Sequence, residues 1–253
     1  MQVLELLTGE YLVYLLIMAL AALVHGTMGL GFPMVATPLL ALITDVRQAV
    51  ILTLIPTVIV NVASIAKGGQ WGQSIRRYWP LAVYALVGSF LGSHILLLGE
   101  ASYLRLVLAA MILLYLNTHR FKIGYGDWIR GHLGWSMLIF GSLAGFFAGT
   151  VNVMVPVLII FVLELGLGAV AMVQVFNLCF LSGKLSQIIV LGSYGLLGGN
   201  YVQYIIPLCF VTLVFLGAGF TLRKKIEVST YSKVLRLPLY LIAAILVAQF
   251  FLT

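Results

Sequence analysis

His25-Gly-Thr-Met-Gly-Leu-Gly-Phe-Pro33 interrupts a hydrophobic run that otherwise reads as a membrane helix. Apolar residues lead in from Tyr11 to Val24, so a first helical leg is expected over 11–26 and a second over 33–43. Gly26, Gly29 and Gly31 each weaken a helix by roughly 1 kcal/mol relative to alanine. Pro33 lacks an N–H and clashes with the turn before it, so it opens a helix well and continues one badly. The chain is therefore expected to unwind at membrane depth and restart at Pro33. Irregular backbone survives there only where it is buried in protein or lines a wet cavity.

The same event recurs in Ala148-Gly-Thr-Val-Asn-Val-Met-Val-Pro156. At an offset of 123 residues, Gly26 matches Gly149, Thr27 matches Thr150 and Pro33 matches Pro156. A single glycine-rich break in an apolar segment often serves only close helix packing. Two short, interrupted segments at corresponding places in two halves point instead to a transporter binding site.

The chain has 253 residues, 62% hydrophobic and 8% charged, with a mean hydropathy of +1.15. Such a composition belongs to an all-α polytopic membrane protein. The formal net charge of +7 is gathered in a few clusters between apolar runs. That pattern is a topology signal and not a nucleic-acid surface. Cys179 and Cys209 both lie in apolar segments, and no metal-ligand spacing or cofactor motif occurs. The start, MQVLELLTGE, is acidic before the first apolar run and does not read as a cleaved signal peptide.

The apolar runs divide the chain into a first repeat over 1–117, a cytoplasmic linker loop over 118–132 and a second repeat over 133–253. The first repeat holds a broken hairpin over 11–43 and spans at 48–66, 78–98 and 102–117. The second holds a broken hairpin over 133–163 and spans at 169–191, 201–221 and 237–252. Gly88 and Gly92, and Gly141, Gly145 and Gly149, sit at the spacing of close helix contacts. The loops carrying Lys67/Arg76/Arg77, Arg120/Lys122/Arg130 and Arg223/Lys224/Lys225/Lys233/Arg236 hold eleven of the 14 basic residues. The positive-inside rule places all three in the cytoplasm. This works only if each broken segment returns to the face it came from. Each half then crosses an odd number of times, which makes two inverted repeats whose hairpins meet near the midplane. The protein is expected in the cell (inner) membrane, with both termini outside.

A cavity between the hairpins suits an anion. Pro33 and Pro156 open short helices whose N-termini carry about +0.5 charge and free N–H groups. Thr27, Thr150 and Asn152 add hydrogen-bond donors, while Gly29 and Gly31 let backbone approach a ligand. Lys184 lies mid-span, where a charge is costly unless it faces water, a partner or a ligand. It either binds the anion from the cavity or snorkels to the interface; Asn61 is its counterpart in the first half. Gln174 and Asn177 either join the lining or bridge helices. His25 is either a proton-handling group or a packing residue. No G-x-S-x-G or H-E-x-x-H stands behind an intramembrane enzyme, and no nucleotide motif behind ATP use. A secondary transporter of small anions, coupled to H⁺ or Na⁺, is the expected function; an anion channel is the alternative.

GTMGLGFPMVATPLL and its echo GTVNVMVPVLII resemble the TauE/SafE family of membrane transporters, the sulfite exporters, across essentially the whole chain. Family members usually show a Gly-rich run followed by Pro at both places. Here the first copy ends in Phe32 where a third glycine is usual, and the second has Val151-Asn152-Val153-Met154 in place of the glycines. The resemblance implies transport of sulfite, sulfonates, other sulfur-containing anions or small organic anions.

The charge pattern makes a direct prediction. A reporter fused after Thr253 is expected to be active outside the cytoplasm; activity confined to the cytoplasm contradicts the hairpin topology.

Overall fold

The computed structural model describes residues 9–69, 71–118, 126–223 and 228–252. The acidic start before Gly9, together with Arg120, Lys122, Lys224, Lys225 and Glu227 of the basic loops, lies outside the described residues. Among the described residues all regular structure is helical. The helices are α1 (Gly9–Met28), α2 (Phe32–Ala41), α3 (Val46–Lys67), α4 (Trp71–Leu98), α5 (Ala101–Asn117) and α6 (Gly126–Gly131). They continue with α7 (Leu133–Val151), α8 (Val155–Glu164), α9 (Ala169–Ser193), α10 (Tyr201–Leu222) and α11 (Val228–Leu252).

Six of these helices are long and apolar enough to cross a membrane: α1, α3, α4, α7, α9 and α10. The chain is a polytopic membrane protein. Residues 102–117, expected as a full span, fall on the shorter apolar helix α5, and 237–252 fall within the apolar part of α11. At 1.5 Å per residue the 17 residues of α5 reach about 25 Å, slightly under a hydrocarbon core of ~30 Å. Exposed surface is apolar, as at Leu16, Ile189 and Phe210, whereas many of the buried side chains are polar. This reverses the pattern of a water-soluble bundle.

Element boundaries repeat at the sequence offset. Met28 and Val151 end α1 and α7, and Phe32 and Val155 begin α2 and α8. Ala41 and Glu164 end the short helices, and Val46 and Ala169 begin the next long ones. Each pair is 123 residues apart.

Three details differ from the sequence expectation. The breaks are narrower, because His25, Gly26 and Thr27 are still helical and α7 continues to Val151. A Cβ on Gly26 would lie 2.6 Å from Leu216 O and 2.8 Å from Gly219 Cα. Packing against α10 therefore holds Gly26 in a helix that propensity alone would end. Both short helices begin one residue before their proline, at Phe32 and Val155. Finally, the linker 118–132 is not all loop: it contains α6, closed by an Arg130–Asp127 ion pair of 2.7 Å one turn apart.

Three helix pairs set the architecture, α4 against α7, α4 against α9 and α1 against α10. Gly141, Gly145 and Gly149 of α7 step along Leu81, Ala85 and Ser89 of α4, while Gly88 and Gly92 meet Ser142 and Phe146 in return. Backbones touch there with no room for side chains.

Both broken pairs return to the end of the bundle they start from. Glu10, Asp45 and Tyr201 line one cleft, so α1, α3 and α10 begin together. Arg47 donates to Leu96 O and Gly99 O, both at 3.1 Å, which brings the end of α4 there. Gln249 donates to Leu42 O at 3.4 Å, so the end of α11 joins them. At the opposite end, Arg130 donates to Glu164 O at 2.9 Å, joining the start of α7 to the end of α8. Gln174, near the start of α9, donates to Gly69 O beyond the end of α3 at 3.2 Å. The matched helices α3 and α9 thus run in opposite directions.

Gly145→Ala places a Cβ 2.0 Å from Ala85 O. It is expected to lower stability by about 1–3 kcal/mol or more. Gly217→Ala, where a Cβ meets nothing within 4 Å, is expected to be neutral or to stabilise by up to ~1 kcal/mol. Thermal unfolding in detergent separates the two.

Candidate functional site

The two breaks share a left-handed residue at one matched position, Gly29 and Asn152, and differ at another, where Gly31 is left-handed and Met154 (φ −112°) is not. After α1 the chain turns at Gly29 (φ 82°) and Gly31 (φ 105°). After α7 it turns at Asn152, whose φ of 64° is the only positive value at a non-glycine among the described residues. Asn152 stands at the position matching Gly29. Asparagine enters the left-handed region more readily than other side-chain residues, which explains how the second copy dispenses with glycine.

Each break is gripped by the long helix that follows it in the same half. Phe32 N–H, the first donor of α2, donates to His25 Nδ1 at 3.3 Å. An amide can only donate, so Nδ1 is the acceptor and the neutral ring carries its proton on Nε2. Nε2 then donates to Ser64 Oγ of α3 at 2.9 Å. Protonating Nδ1 would remove this acceptor and set a cation at a helix N-terminus, where the helix dipole opposes it. In the second half Gln187 of α9 stands where Ser64 stands in the first. Its Nε2 donates to Gly149 O, in the last turn of α7, at 3.0 Å.

Each break is also held by the opposite half. Asn152 Nδ2 donates to Thr37 Oγ1 at 2.7 Å and Thr53 Oγ1 at 2.8 Å. The Thr53 hydroxyl spends its own hydrogen on Ala49 O, so its lone pairs are open to Asn152. Asn177 Nδ2 donates to Gly29 O at 2.9 Å and to Val173 O at 2.7 Å. The second break meets the middle of α2 and the first meets α9.

Lys184 is 1% exposed. Its ammonium donates to Gln187 Oε1, the residue that holds Gly149. Among the described residues no carboxylate pairs with it; the ion pair they contain is Arg130–Asp127. Lys184 lines neither the cleft beside Asp45 and Arg47 nor the cavity beside Lys67 and Arg223. Instead of opening on one, it stands behind the second break.

Those cavities lie at opposite ends of one set of helices, α1, α3 and α10. A cleft of about 670 Å³ holds Glu10, Asp45, Arg47 and the tyrosines Tyr11, Tyr14, Tyr201 and Tyr204. A smaller cavity of about 190 Å³ holds Lys67 and Arg223, with Gly29 and Ser64 in its wall. Lys67 sits over the Phe220 ring, 4.1 Å from its centre.

Other residues expected at the site have different placements. The Thr27 hydroxyl donates to Val24 O at 2.8 Å, and that of Thr150 to Phe146 O at 2.8 Å. Both close the last turn of their own helix. Gln174 sits at the end of the bundle. Gly31 precedes Phe32 as the residue leading into α2, and Pro33 and Pro156 lie in the first turns of α2 and α8. Ser64, Gln187, Thr37 and Thr53 were not singled out from the sequence. Pairing at the repeat offset finds Ser64 and Gln187 but not Thr37 and Thr53, whose matches are Ile160 and Phe176.

A family model described as "Sulfite exporter TauE/SafE" matches residues 14–249. No curated protein and no solved structure matches the chain.

The geometry orders a set of variants. Asn152→Gly keeps the backbone turn and loses two hydrogen bonds, an expected cost of about 1–2 kcal/mol. Asn152→Val adds the left-handed penalty of a branched side chain, roughly 1–2 kcal/mol more. Unfolding temperatures should fall in the order wild type, Gly, Val; a valine variant as stable as the glycine one contradicts the assignment.

Proposed function

The chain belongs to the TauE/SafE sulfite exporter family, and on that premise we propose that it is a secondary transporter of a small anion. The class comprises sulfite, sulfonates and related sulfur-containing or organic anions. The observation that carries this reading is Lys184, a buried ammonium whose protein partner is a neutral amide. A buried cation without a counter-charge is strongly disfavoured. An anion reaching the second break supplies the missing charge.

The two halves act as inverted repeats in the cell's inner membrane, with the basic ends in the cytoplasm and both termini outside. The opposite directions of α3 and α9 support this, as does the return of each broken pair to its own end of the bundle. Cavities at both ends of α1, α3 and α10 support alternating access. One cavity takes anions from the basic side, between Lys67 and Arg223; the other opens beside Asp45 and Arg47. A proton or a sodium ion drives the cycle. Both ring nitrogens of His25 are spent on the protein, so its part is to hold the first break.

An ion pair with a bound anion is worth about 1.5–3 kcal/mol net, as for hydrogen bonds to charged groups. Lys184→Ala is therefore expected to raise the apparent substrate constant about tenfold or more in proteoliposome uptake of sulfite, sulfonates and carboxylates. Lys184→Gln should restore folding without restoring affinity, because it donates hydrogen bonds without charge. Unchanged affinity in Lys184→Ala would show that the ammonium does not meet the anion.

A further inference from the structure

Among the described residues the buried side chains of Asn61, Ser186 and Thr212 make no hydrogen bond at all, and Asn61 is the amide among them. Asn61 of α3 has no exposed surface. Neither its amide nitrogen nor its amide oxygen has a hydrogen-bond partner. Its neighbours on the same stripe are satisfied. Thr53 donates to Ala49 O at 2.8 Å, Thr57 donates to Thr53 O at 2.6 Å, and Ser64 accepts from His25. Burying an amide without partners works against stability. Leucine or threonine would sit at this position without that penalty.

Two positions connect Asn61 to the anion. It stands 123 residues before Lys184, so it holds in the first half the place that the buried ammonium holds in the second. It also lies one helical turn from Ser64 on the same face of α3. Ser64 lines the cavity that holds Lys67 and Arg223. Among the described residues neither of these cations has a carboxylate partner.

We propose that Asn61 is a second anion contact, the deeper step of a path that begins between Lys67 and Arg223. Its amide N–H donates to an oxygen of the anion after the two cations have drawn it in. A neutral donor at this depth recognises an oxyanion by its acceptors without holding it too tightly to leave. The assignment rests on the anion-transport reading given above.

The test uses the full chain in detergent and in proteoliposomes, with sodium sulfite as the probe. Asn61→Leu removes the amide. Asn61→Thr is the second variant, because its hydroxyl can donate to Thr57 O as Thr57 does to Thr53 O. Without anion, both variants should unfold at or above the wild-type temperature. With sulfite, their stabilisation should fall to less than about half of wild type, and the apparent uptake constant should rise about fivefold or more. Wild-type stabilisation by sulfite in either variant overturns the assignment. So does a lower unfolding temperature in both variants without anion, which marks a structural residue. If wild-type protein itself shows no response to sulfite, the transport reading fails first and this contact falls with it.

Discussion

A helix that stops inside a bilayer leaves backbone N–H and C=O groups that no water can satisfy, and this constraint organises the molecule. Each unsatisfied group would cost several kcal/mol. The chain meets the demand with side chains brought from elsewhere. His25 caps the first amide of α2 and is itself fixed by Ser64. Gln187 and Asn177 hold the carbonyls of Gly149 and Gly29. Polar residues are accordingly buried along α3 and α9, while large apolar side chains such as Leu16 and Phe210 face outward.

These bonds hold only if the helices approach closely, and glycine makes that possible. The α4–α7 contact has Gly145 against Ala85, and the α1–α10 contact has Gly26 against Gly219. In both, the helix preceding a break is clamped to a long helix from the other half. Asn152 then reaches into α2 and α3, and Asn177 reaches the first break. In the proposed alternating-access cycle, relative motion of the halves would exchange these cross-half bonds. Two alternative bonding sets of comparable energy are what an alternating-access cycle requires.

Much of this was legible in the sequence because repeats and breaks are local signals. The Gly-Thr and Pro pairs at one offset located both turns and the boundaries of four helices. Glycine spacing in 141–149 and at 88 and 92 announced the tight interface. The site was less legible. Thr27 and Thr150 look like free donors in a string of letters, but a threonine in the last turn of a helix bonds its own carbonyls. Gly26 reads as a breaker, yet it packs against α10. Asn152 reads as a ligand-binding amide, and it spends its nitrogen on Thr37 and Thr53 while taking the turn that Gly29 takes in the first half. Lys184 was visible as an anomaly, but its link through Gln187 to Gly149 depends on which helix faces which. Periodicity does not carry that information.

The central claim is that this protein carries an anion through a closed interior, one transport cycle at a time. The direct measurement is counterflow. Purified protein is reconstituted into vesicles loaded with unlabelled sulfite, then diluted into a trace of labelled sulfite. A transporter whose loaded site alternates between the two faces predicts a transient accumulation of label above its equilibrium level, saturable and abolished by collapsing the sulfite gradient. Label that rises monotonically to equilibrium at a rate linear in concentration would contradict the account and identify an open anion pore.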